Sequence, residues 1–561
     1  MIPDIKWLEN PEIFRVNRLD AHSDHVCYPS IEEAESGKTS LHQSLDGEWI
    51  FKWSPNPVSR PADFYQEGYD LSGFTTIQVP GHMETQGFDK IHYINKLYPW
   101  DGHAELRPPM LDWDWNPVGS YVKEFDLDEG LKGRPVCISF QGIEQAAFVW
   151  LNGNFVGYCE DTFTPSDFDL TPYIREKGNR LCVQVHKRCS GGWLEDQDFF
   201  RFSGIFRPVY LYAKPLVEDL WIQSTLHENL VSGDLRFRLK LNGHAKVHAK
   251  ISHKTDGILF EGDLELTEQE GYFFSRTIPF PNVKLWDHGS PELYHVLLAV
   301  HGDEITEYIP YDTGFRRFLM GDDKVMYLNG KRLLLSGVNR HEWSATKGRA
   351  IDVADMEAAM ETILANNINA VRTCHYPNRT EWYHMCDREG IYMMDETNLE
   401  THGSWQKDAL PDSTEPSWNV PGSIPQWREN VLDRAKSMFE RDKNHVSVLF
   451  WSCGNEAFCG ENVVAMAEYF RKVDPSRLVH YESVYITRGV VNGQPTSPHW
   501  NPRWELSSDM ESRMYATPWD IREYLENDPP KPYLSCEYMH NMGNSLGGME
   551  SYVNLSKEFP M

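Results

Sequence analysis

Two glutamates, Glu456 and Glu537, give the clearest chemical signal in the sequence, because each lies at the end of a short apolar stretch. Glu456 follows VSVLFWSCG, and Glu537 lies in PYLSCEY. If both stretches are parallel strands of one barrel, the two carboxylates project over the same mouth. Carboxylates that face each other across a cleft suit glycoside hydrolysis, in which one attacks and the other protonates the leaving oxygen. Paired acids also occur as metal ligands, and the spacing alone leaves that alternative open.

A second pair, Glu400 and His402, follows the apolar stretch IYMMDET. Together with Glu456 it could form a site for a hard cation, with water completing the coordination shell. A loop that only caps its own polar groups is the alternative interpretation.

Polar residues follow six of the seven apolar stretches in the second half of the chain. They are residues 339–342, 375–378, 396–402 and 455–456, Tyr515, and residues 537–540. A lone histidine at such a place is often just a loop residue, but six of seven stretch ends favour a common site. In a parallel barrel that site lies at the carboxyl ends of the strands.

From about residue 325 onward, short apolar stretches alternate with helical patterns. For example, Asp352 precedes Met356, Met360 and Ile363, which predicts a capped amphipathic helix. The alternation predicts a parallel sheet, and its length a (β/α)₈ TIM barrel. Only seven strands are counted, so the barrel is expected to lack its last strand. A seven-stranded or open sheet, or closure by another segment, is the alternative.

The first half of the chain has a different pattern. Residues 1–45 are predicted to form an extended N-terminal arm. Residues 46–215 contain short β-like runs, with a hairpin turn at Asn152-Gly153, and predict an antiparallel sandwich. Residues 216–311 predict a second, smaller sandwich, and residues 312–561 form the predicted barrel.

Composition excludes several classes of function. The 561 residues carry a net charge of −29, which disfavours nucleic acid, anionic membranes and anionic substrates. No apolar run approaches the roughly 20 residues of a membrane helix, and the first residues lack the order of a secretory signal. The ten cysteines form no CxxC pair. These features predict a reduced, cytoplasmic protein.

Several long strings resemble the glycoside hydrolase family 2 β-galactosidases. They include SGIFRPVYLYAKP, LSGVNRHEWSATKGRAI, NNINAVRTCHYPNRTEWYHMCDREGIYMMDETNLETHGSW, WSCGNEAF and CEYMHNMGNSLGG. LEDQDFFRFSGIF and NLETHGSWQK are most similar to the large subunit of the two-subunit enzymes of lactic acid bacteria. The resemblance implies a jelly-roll sugar-binding-like sandwich, an immunoglobulin-like sandwich and a catalytic TIM barrel. It implies retaining hydrolysis of terminal β-D-galactose from substrates such as lactose, with transgalactosylation.

The resemblance also implies roles for single residues. Glu537 matches the nucleophile, and Glu456 matches the general acid/base. The implied galactose contacts are Asn95, Asp198, His341, His375, Asn455, Tyr515 and His540. The implied metal ligands are Glu400, His402 and Glu456 for Mg²⁺, and Asp198 for Na⁺.

The sequence departs from the family pattern at its end. Met561 precedes the strand that closes the barrel in family members, so a shortened large subunit is expected. The expected partner is a small β-galactosidase subunit, or the missing C-terminal domains. Two alternatives remain: another exo-β-glycosidase of the same family, and a non-catalytic or partner-dependent galactoside-binding fragment.

Overall fold

The computed structural model describes residues 3–407, 419–491, 494–495, 500–540 and 547–561. The first body is an antiparallel sandwich preceded by a segment with a 3₁₀ helix at Ile5–Glu9 and an α-helix at Ile31–Ser36. The larger sheet has the order Arg15–Val16, Asn154–Cys159, Ala146–Leu151, Asn179–His186, Val118–Phe125, Gly47–Ser54 and Thr75–Val79. The smaller sheet has the order Ser166–Asp169, Val136–Phe140, Val209–Ala213 and His42–Ser44.

Short elements complete the first sandwich. Phe199–Arg201 pairs with His92–Ile94, Gly204–Ile205 pairs with Ile143–Glu144, and 3₁₀ helices lie at Glu129–Leu131 and Ser190–Trp193. The predicted hairpin is confirmed: Asn152 and Gly153 join Ala146–Leu151 to Asn154–Cys159, with φ angles of 51° and 80°. Both angles are positive, as the tight turns that match strand twist require.

The second body is also a sandwich of two antiparallel sheets. One contains Val217–Leu226, Gly233–Leu241, Tyr272–Ser275, Leu266–Gln269 and Ile278–Phe280. The other has the order Gly257–Asp263, Lys246–His253, Tyr294–His301 and Thr306–Thr313. Burial alternates along Tyr294–His301, which is typical of strands with one face toward a core. Smaller pieces follow: Trp286–Asp287 with Ser290–Pro291, and a three-stranded sheet of Phe318–Met320, Met326–Leu328 and Lys331–Arg332.

The third body is a parallel α/β barrel. Its strands are β1 (Gly337–Asn339), β2 (Ala370–Arg372), β3 (Tyr392–Glu396), β4 (Val448–Ser452), β5 (Leu478–His480), β6 (Glu511–Met514) and β7 (Tyr533–Glu537). Its α-helices are Val353–Ala365, Thr380–Glu389, His402–Lys407, Arg428–Asp442, Glu461–Val473, Val484–Arg488, Pro518–Glu526 and Met549–Glu558. The remaining elements are 3₁₀ helices at Pro425–Trp427 and Pro502–Ser507, and the pair Val490–Val491 with Gln494–Pro495. Asp352 caps the first helix as predicted, through a reciprocal capping box with Asp355.

The barrel sheet is interrupted twice. Strands β1 to β5 form one parallel sheet, and β6 and β7 pair separately. At the first interruption, between β5 and β6, the N–H of Asp509, which lies just before β6, donates to the carbonyl of Val479 in β5 (2.8 Å). Between β7 and β1, Asn339 Nδ2 donates to the Cys536 carbonyl (2.9 Å). A groove of about 540 Å³ is lined by both strands, by β2 and β3, and by the helix Met549–Glu558. Within the described residues no strand lies between β7 and β1. The predicted fold class, two sandwiches and a TIM barrel, is confirmed.

Strand β1 is shorter than its apolar pattern indicates. The stretch 333–339 predicts one strand, yet only Gly337–Asn339 is extended in the barrel sheet. Leu333 instead donates its N–H to Met326 of the preceding small sheet (2.8 Å), and the Leu334 and Leu335 side chains are exposed. Among the described helices, none has both the length and the apolar character needed to cross a bilayer.

Candidate active site

The carboxyl ends of β1, β2, β3, β4 and β7 meet at one guanidinium group, that of Arg372, whose Nη1 donates to Asn339 Oδ1 of β1 at 3.1 Å. Arg372 Nε lies 2.7 Å from Glu396 Oε2, and Nη1 lies 2.9 Å from Glu537 Oε1. Nη2 donates to Asn455 Oδ1 at 2.8 Å. The planar fork of an arginine suits several simultaneous oxygen acceptors. Arg372 therefore fixes the loop after β4 and the end of β7 with respect to each other.

Glu537 is held from three directions at the end of β7. Apart from Arg372, Tyr515 donates its hydroxyl to Glu537 Oε2 at 2.5 Å. His375 Nε2 lies 3.8 Å from Glu537 Oε1. Burial and the negative charge of Glu537 raise the pKa of Tyr515, so the hydroxyl stays a hydrogen-bond donor.

Glu456 is positioned by the loop after β4, where its φ angle of 34° lies in the left-handed region. Its Oε2 lies 2.7 Å from His402 Nδ1, and its N–H donates to Glu482 Oε1 (2.7 Å). Burial alone would raise the pKa of Glu456, but the hydrogen bond and charge of His402 outweigh it and lower the pKa. A positive φ on a residue other than glycine is strain of the kind that accumulates at functional sites.

Glu400 lies beside Glu456 and is fully buried. Asn455 Nδ2 donates to Glu400 Oε2 at 2.9 Å. Burial and the charge of Glu456 raise the pKa of Glu400 well above its ordinary value. Ligand atoms of Glu400, His402 and Glu456 all lie within 4.8 Å of one another. Two carboxylates that repel each other in a buried place form a donor set that fits a hard divalent cation.

Two histidines form the wall next to Glu537. His375 Nδ1 lies 2.7 Å from Glu396 Oε1, and its ring contacts that of His341, with centroids 5.6 Å apart. His341 stacks on Phe199 of the first sandwich at 4.5 Å. Burial and the neighbouring His375 lower the pKa of His341 well below its ordinary value, so it presents a neutral imidazole.

The first sandwich contributes directly to this mouth. Glu400 donates its N–H to the Leu194 carbonyl (2.8 Å), and Asp198 donates its N–H to Glu400 Oε1 (3.3 Å). Tyr93 donates its hydroxyl to Asp198 Oδ1 (2.6 Å), and Asn95 follows two residues later. Asp198 is thereby brought to the carboxylate cluster.

The structure thus gathers most of the residues singled out from sequence. His540 is exposed, and its ring contacts that of Tyr515, with centroids 5.7 Å apart. Sequence reasoning missed Arg372 and Glu482. Both could have been found, because Arg372 is a lone charge ending an apolar strand and Glu482 lies two residues after the end of β5.

Known proteins resemble the chain over its whole length. Sequence models described as glycosyl hydrolases family 2 match residues 42–215 (sugar binding domain), 216–316, and 320–561 (TIM barrel domain). The chain is 49% identical to the beta-galactosidase large subunit of Lactobacillus acidophilus, covering 100% of this chain and 89% of that protein.

Other relatives are longer. The chain is 48% identical to the beta-galactosidase of Halalkalibacterium halodurans, with 100% of this chain and 54% of that protein covered. It therefore spans about half the length of that relative. Among solved structures, Ruminococcus gnavus beta-glucuronidase has the same fold, with a TM-score of 0.70 at 18% identity, covering 92% of this chain and 89% of that one.

Proposed function

The chain belongs to glycoside hydrolase family 2, and we propose that it is a retaining β-galactosidase acting on β-galactosides such as lactose. One observation carries the proposal: Arg372 binds both Glu537 and Asn455, the neighbour of Glu456. The two carboxylates therefore belong to one mouth, as hydrolysis by a carboxylate pair requires. The net charge of −29 also favours a neutral sugar over an acidic one.

In the first half of the proposed reaction, Glu537 attacks the anomeric carbon of galactose while Glu456 donates a proton to the departing oxygen. The glycosidic bond breaks, and a covalent galactosyl-enzyme forms. Arg372 and Tyr515 each bind one oxygen of Glu537, which fixes the direction of attack.

In the second half, Glu456 accepts a proton from water, and the water oxygen displaces Glu537 from the anomeric carbon. A sugar hydroxyl in place of water gives transgalactosylation. Two displacements restore the original configuration. Asn455, His341, His375 and His540 are the proposed partners of the sugar hydroxyls, together with Asn95 and Asp198 from the first sandwich.

We also propose that Glu400, His402 and Glu456 hold Mg²⁺. The ion would supply positive charge that offsets the repulsion between the two carboxylates. For Na⁺, Asp198 is the one candidate ligand that we identify among the described residues, which is too few to define a site.

The groove between β7 and β1 supports a requirement for a partner. Several relatives are named large subunits, which implies a small subunit in those enzymes. We propose that a small subunit, or further C-terminal domains, completes this side of the barrel. A chain that binds galactosides but needs its partner for turnover is the second candidate function. Ten buried, unpaired cysteines support the proposal that it works in the cytoplasm.

The test is covalent trapping followed by peptide mapping. An activated 2-deoxy-2-fluoro-β-galactoside should leave its sugar on the peptide containing Glu537, with and without a candidate small subunit. Label on another residue would contradict the nucleophile. A panel of aryl galactosides, glucosides, mannosides and glucuronides tests the sugar, and preference for any of the last three would reject the galactosidase.

A further inference from the structure

A second cluster of metal-ligating side chains lies away from the sugar site, where the N-terminal segment contacts the barrel. Asp24 comes from the N-terminal segment, His384 from the helix Thr380–Glu389, and His445 from the turn before β4. Asp24 Oδ2 lies 2.8 Å from His384 Nε2 and 3.3 Å from His445 Nε2. One ligand atom from each of the three residues lies within 4.8 Å of the other two.

Two of these atoms are buried and are held by ion pairs of imperfect hydrogen-bond geometry. The side chain of Asp24 is 3% exposed and that of His445 is 0% exposed. In the part of the chain that the structure describes, neither Asp24 Oδ2 nor His445 Nε2 has a partner in hydrogen-bonding geometry, despite their short separation. Ion pairs of imperfect geometry leave part of the cost of burying these groups uncompensated, so a common third partner would stabilise the cluster.

The surroundings of the cluster resemble those of protein metal sites. His445 Nδ1 lies 2.6 Å from Asp387 Oδ2, which leaves Nε2 to face Asp24. Tyr311 donates its hydroxyl to the other oxygen of Asp24 at 2.7 Å. Carboxylates that orient a ligating histidine through its second nitrogen are a regular feature of metal centres.

One side of the cluster is open. Asp24 and His384 line a cavity of about 440 Å³ between the N-terminal segment, the first sandwich and the barrel. The His384 side chain is 36% exposed, so an ion and a coordinated water could enter from the cavity. Two imidazoles and one carboxylate are a ligand set for zinc rather than for Mg²⁺, which prefers oxygen.

We propose that Asp24, His384 and His445 bind one Zn²⁺, with water as a further ligand, and that this ion fastens the N-terminal segment to the barrel. The ion takes the place of protons on the two Nε2 atoms, and these protons pass to solvent. Asp387 remains hydrogen-bonded to His445 Nδ1. The site shares no residue with Glu400, His402 and Glu456, so it is independent of the proposed reaction.

The test measures zinc binding by the full chain after treatment with a chelator. Calorimetric titration with ZnCl₂ in excess MgCl₂ should show one tight site, and Co²⁺ should give the visible absorption of a four-coordinate ion. His384→Gln should weaken zinc binding by at least about 100-fold. Zinc should raise the unfolding temperature of the wild type but not of this variant.

Three further variants make the result specific. His248→Gln is the matched control, because His248 and Asp263 form an exposed pair (2.8 Å) outside the cluster, and it should keep the site. His402→Gln should also keep it, which excludes zinc held by the other cluster. Asp24→Asn should lose the zinc site, and this variant replaces His384→Gln in the test if His384→Gln fails to fold. Unchanged binding in both Asp24→Asn and His384→Gln, or no zinc bound by the wild type, would overturn the proposal.

Discussion

The two proposed catalytic carboxylates lie on halves of the barrel that differ in their support. In the closed half, β2 to β5, every residue of β3 and β4 is buried, and Glu456 follows β4. In the open half, β6, β7 and β1, most of β7 and all of β1 are at least partly exposed, and Glu537 lies at the end of β7. Glu537 receives two of its contacts, Arg372 and His375, from β2 and the loop after it. The closed half therefore helps to position both proposed catalytic carboxylates, Glu456 and Glu537.

The largest expected effect comes from removing the proposed nucleophile of the open half. Glu537→Gln keeps the size of the side chain but removes the attacking carboxylate. We expect kcat for an activated aryl galactoside to fall by about 10⁴-fold or more in the complete assembly, measured by release of the aryl group. Substantial turnover in a preparation free of wild-type enzyme would contradict the role of Glu537.

The corresponding change in the closed half is Glu456→Gly. Removal of a general acid/base costs roughly 10²–10⁴-fold, most for substrates with poor leaving groups. Azide should restore part of the turnover of an activated substrate by attacking the galactosyl-enzyme, and β-galactosyl azide should be the product. If azide gives neither rescue nor this product, Glu456 is not the acid/base.

Arg372 contacts residues of both halves. The planar, branched shape of its guanidinium group can be tested without removing its positive charge. Arg372→Lys cannot bind Glu396, Glu537 and Asn455 together, because a lysine offers one point charge. We expect kcat to fall about 100-fold, with a smaller change in KM, because the attacking group is misplaced. Wild-type kcat in a correctly folded variant would show that the halves do not need this link.

The closed half should lose stability in acid through Glu396. Burial works to raise the pKa of Glu396, but the charge of Arg372 and the hydrogen bond from His375 outweigh it, and the pKa falls from 4.5 to about 2. The folded pKa is below the unfolded one, so the stabilisation is present above pH 4.5 and lost as the pH falls toward 2.

For a fully buried group, the shift corresponds to about 3 kcal/mol. Denaturant unfolding as a function of pH should show this loss in the wild type and a flatter profile for Glu396→Gln. Parallel profiles for the two proteins would assign the acid sensitivity to other groups.

A matched pair of core substitutions gives the smallest effect and tests packing alone. Val448 of β4 is fully buried, whereas Val338 of β1 is 36% exposed. Val448→Ala should lower the free energy of unfolding by about 2 kcal/mol, and Val338→Ala by about 0.5 kcal/mol. Equal losses would mean that the open half is packed as tightly as the closed half in solution.

Sequence predicted the local features of the fold well. The Asn152-Gly153 turn and the Asp352 cap depend on residues a few positions apart, and both are present. The predicted length of β1 was wrong. Leu333 belongs to an apolar stretch that fits a strand, but it pairs with Met326 of the preceding small sheet instead of extending β1. Local patterns do not show which segment a backbone group will pair with.

For the site, the expectation that functional groups lie at the carboxyl ends of parallel strands located Glu400, Glu456 and Glu537 without a structure. It could not show that one arginine, Arg372, contacts residues at the ends of four other strands, because this depends on how the barrel curves. The position of Asp198 beside Glu400 likewise required the packing of two domains. Chemistry within one loop was therefore predictable, and chemistry shared between distant segments was not.

The backbone conformation of Glu456 has a consequence for protein engineering. At a φ of 34°, glycine avoids a steric cost that glutamate must bear, of roughly 1 kcal/mol. A library selected for heat resistance alone would accept glycine at this position wherever that relief exceeds the loss of the contact with His402, while a screen for product would discard it. Stability and turnover pull this single position in opposite directions, so selection schemes for this enzyme must measure both.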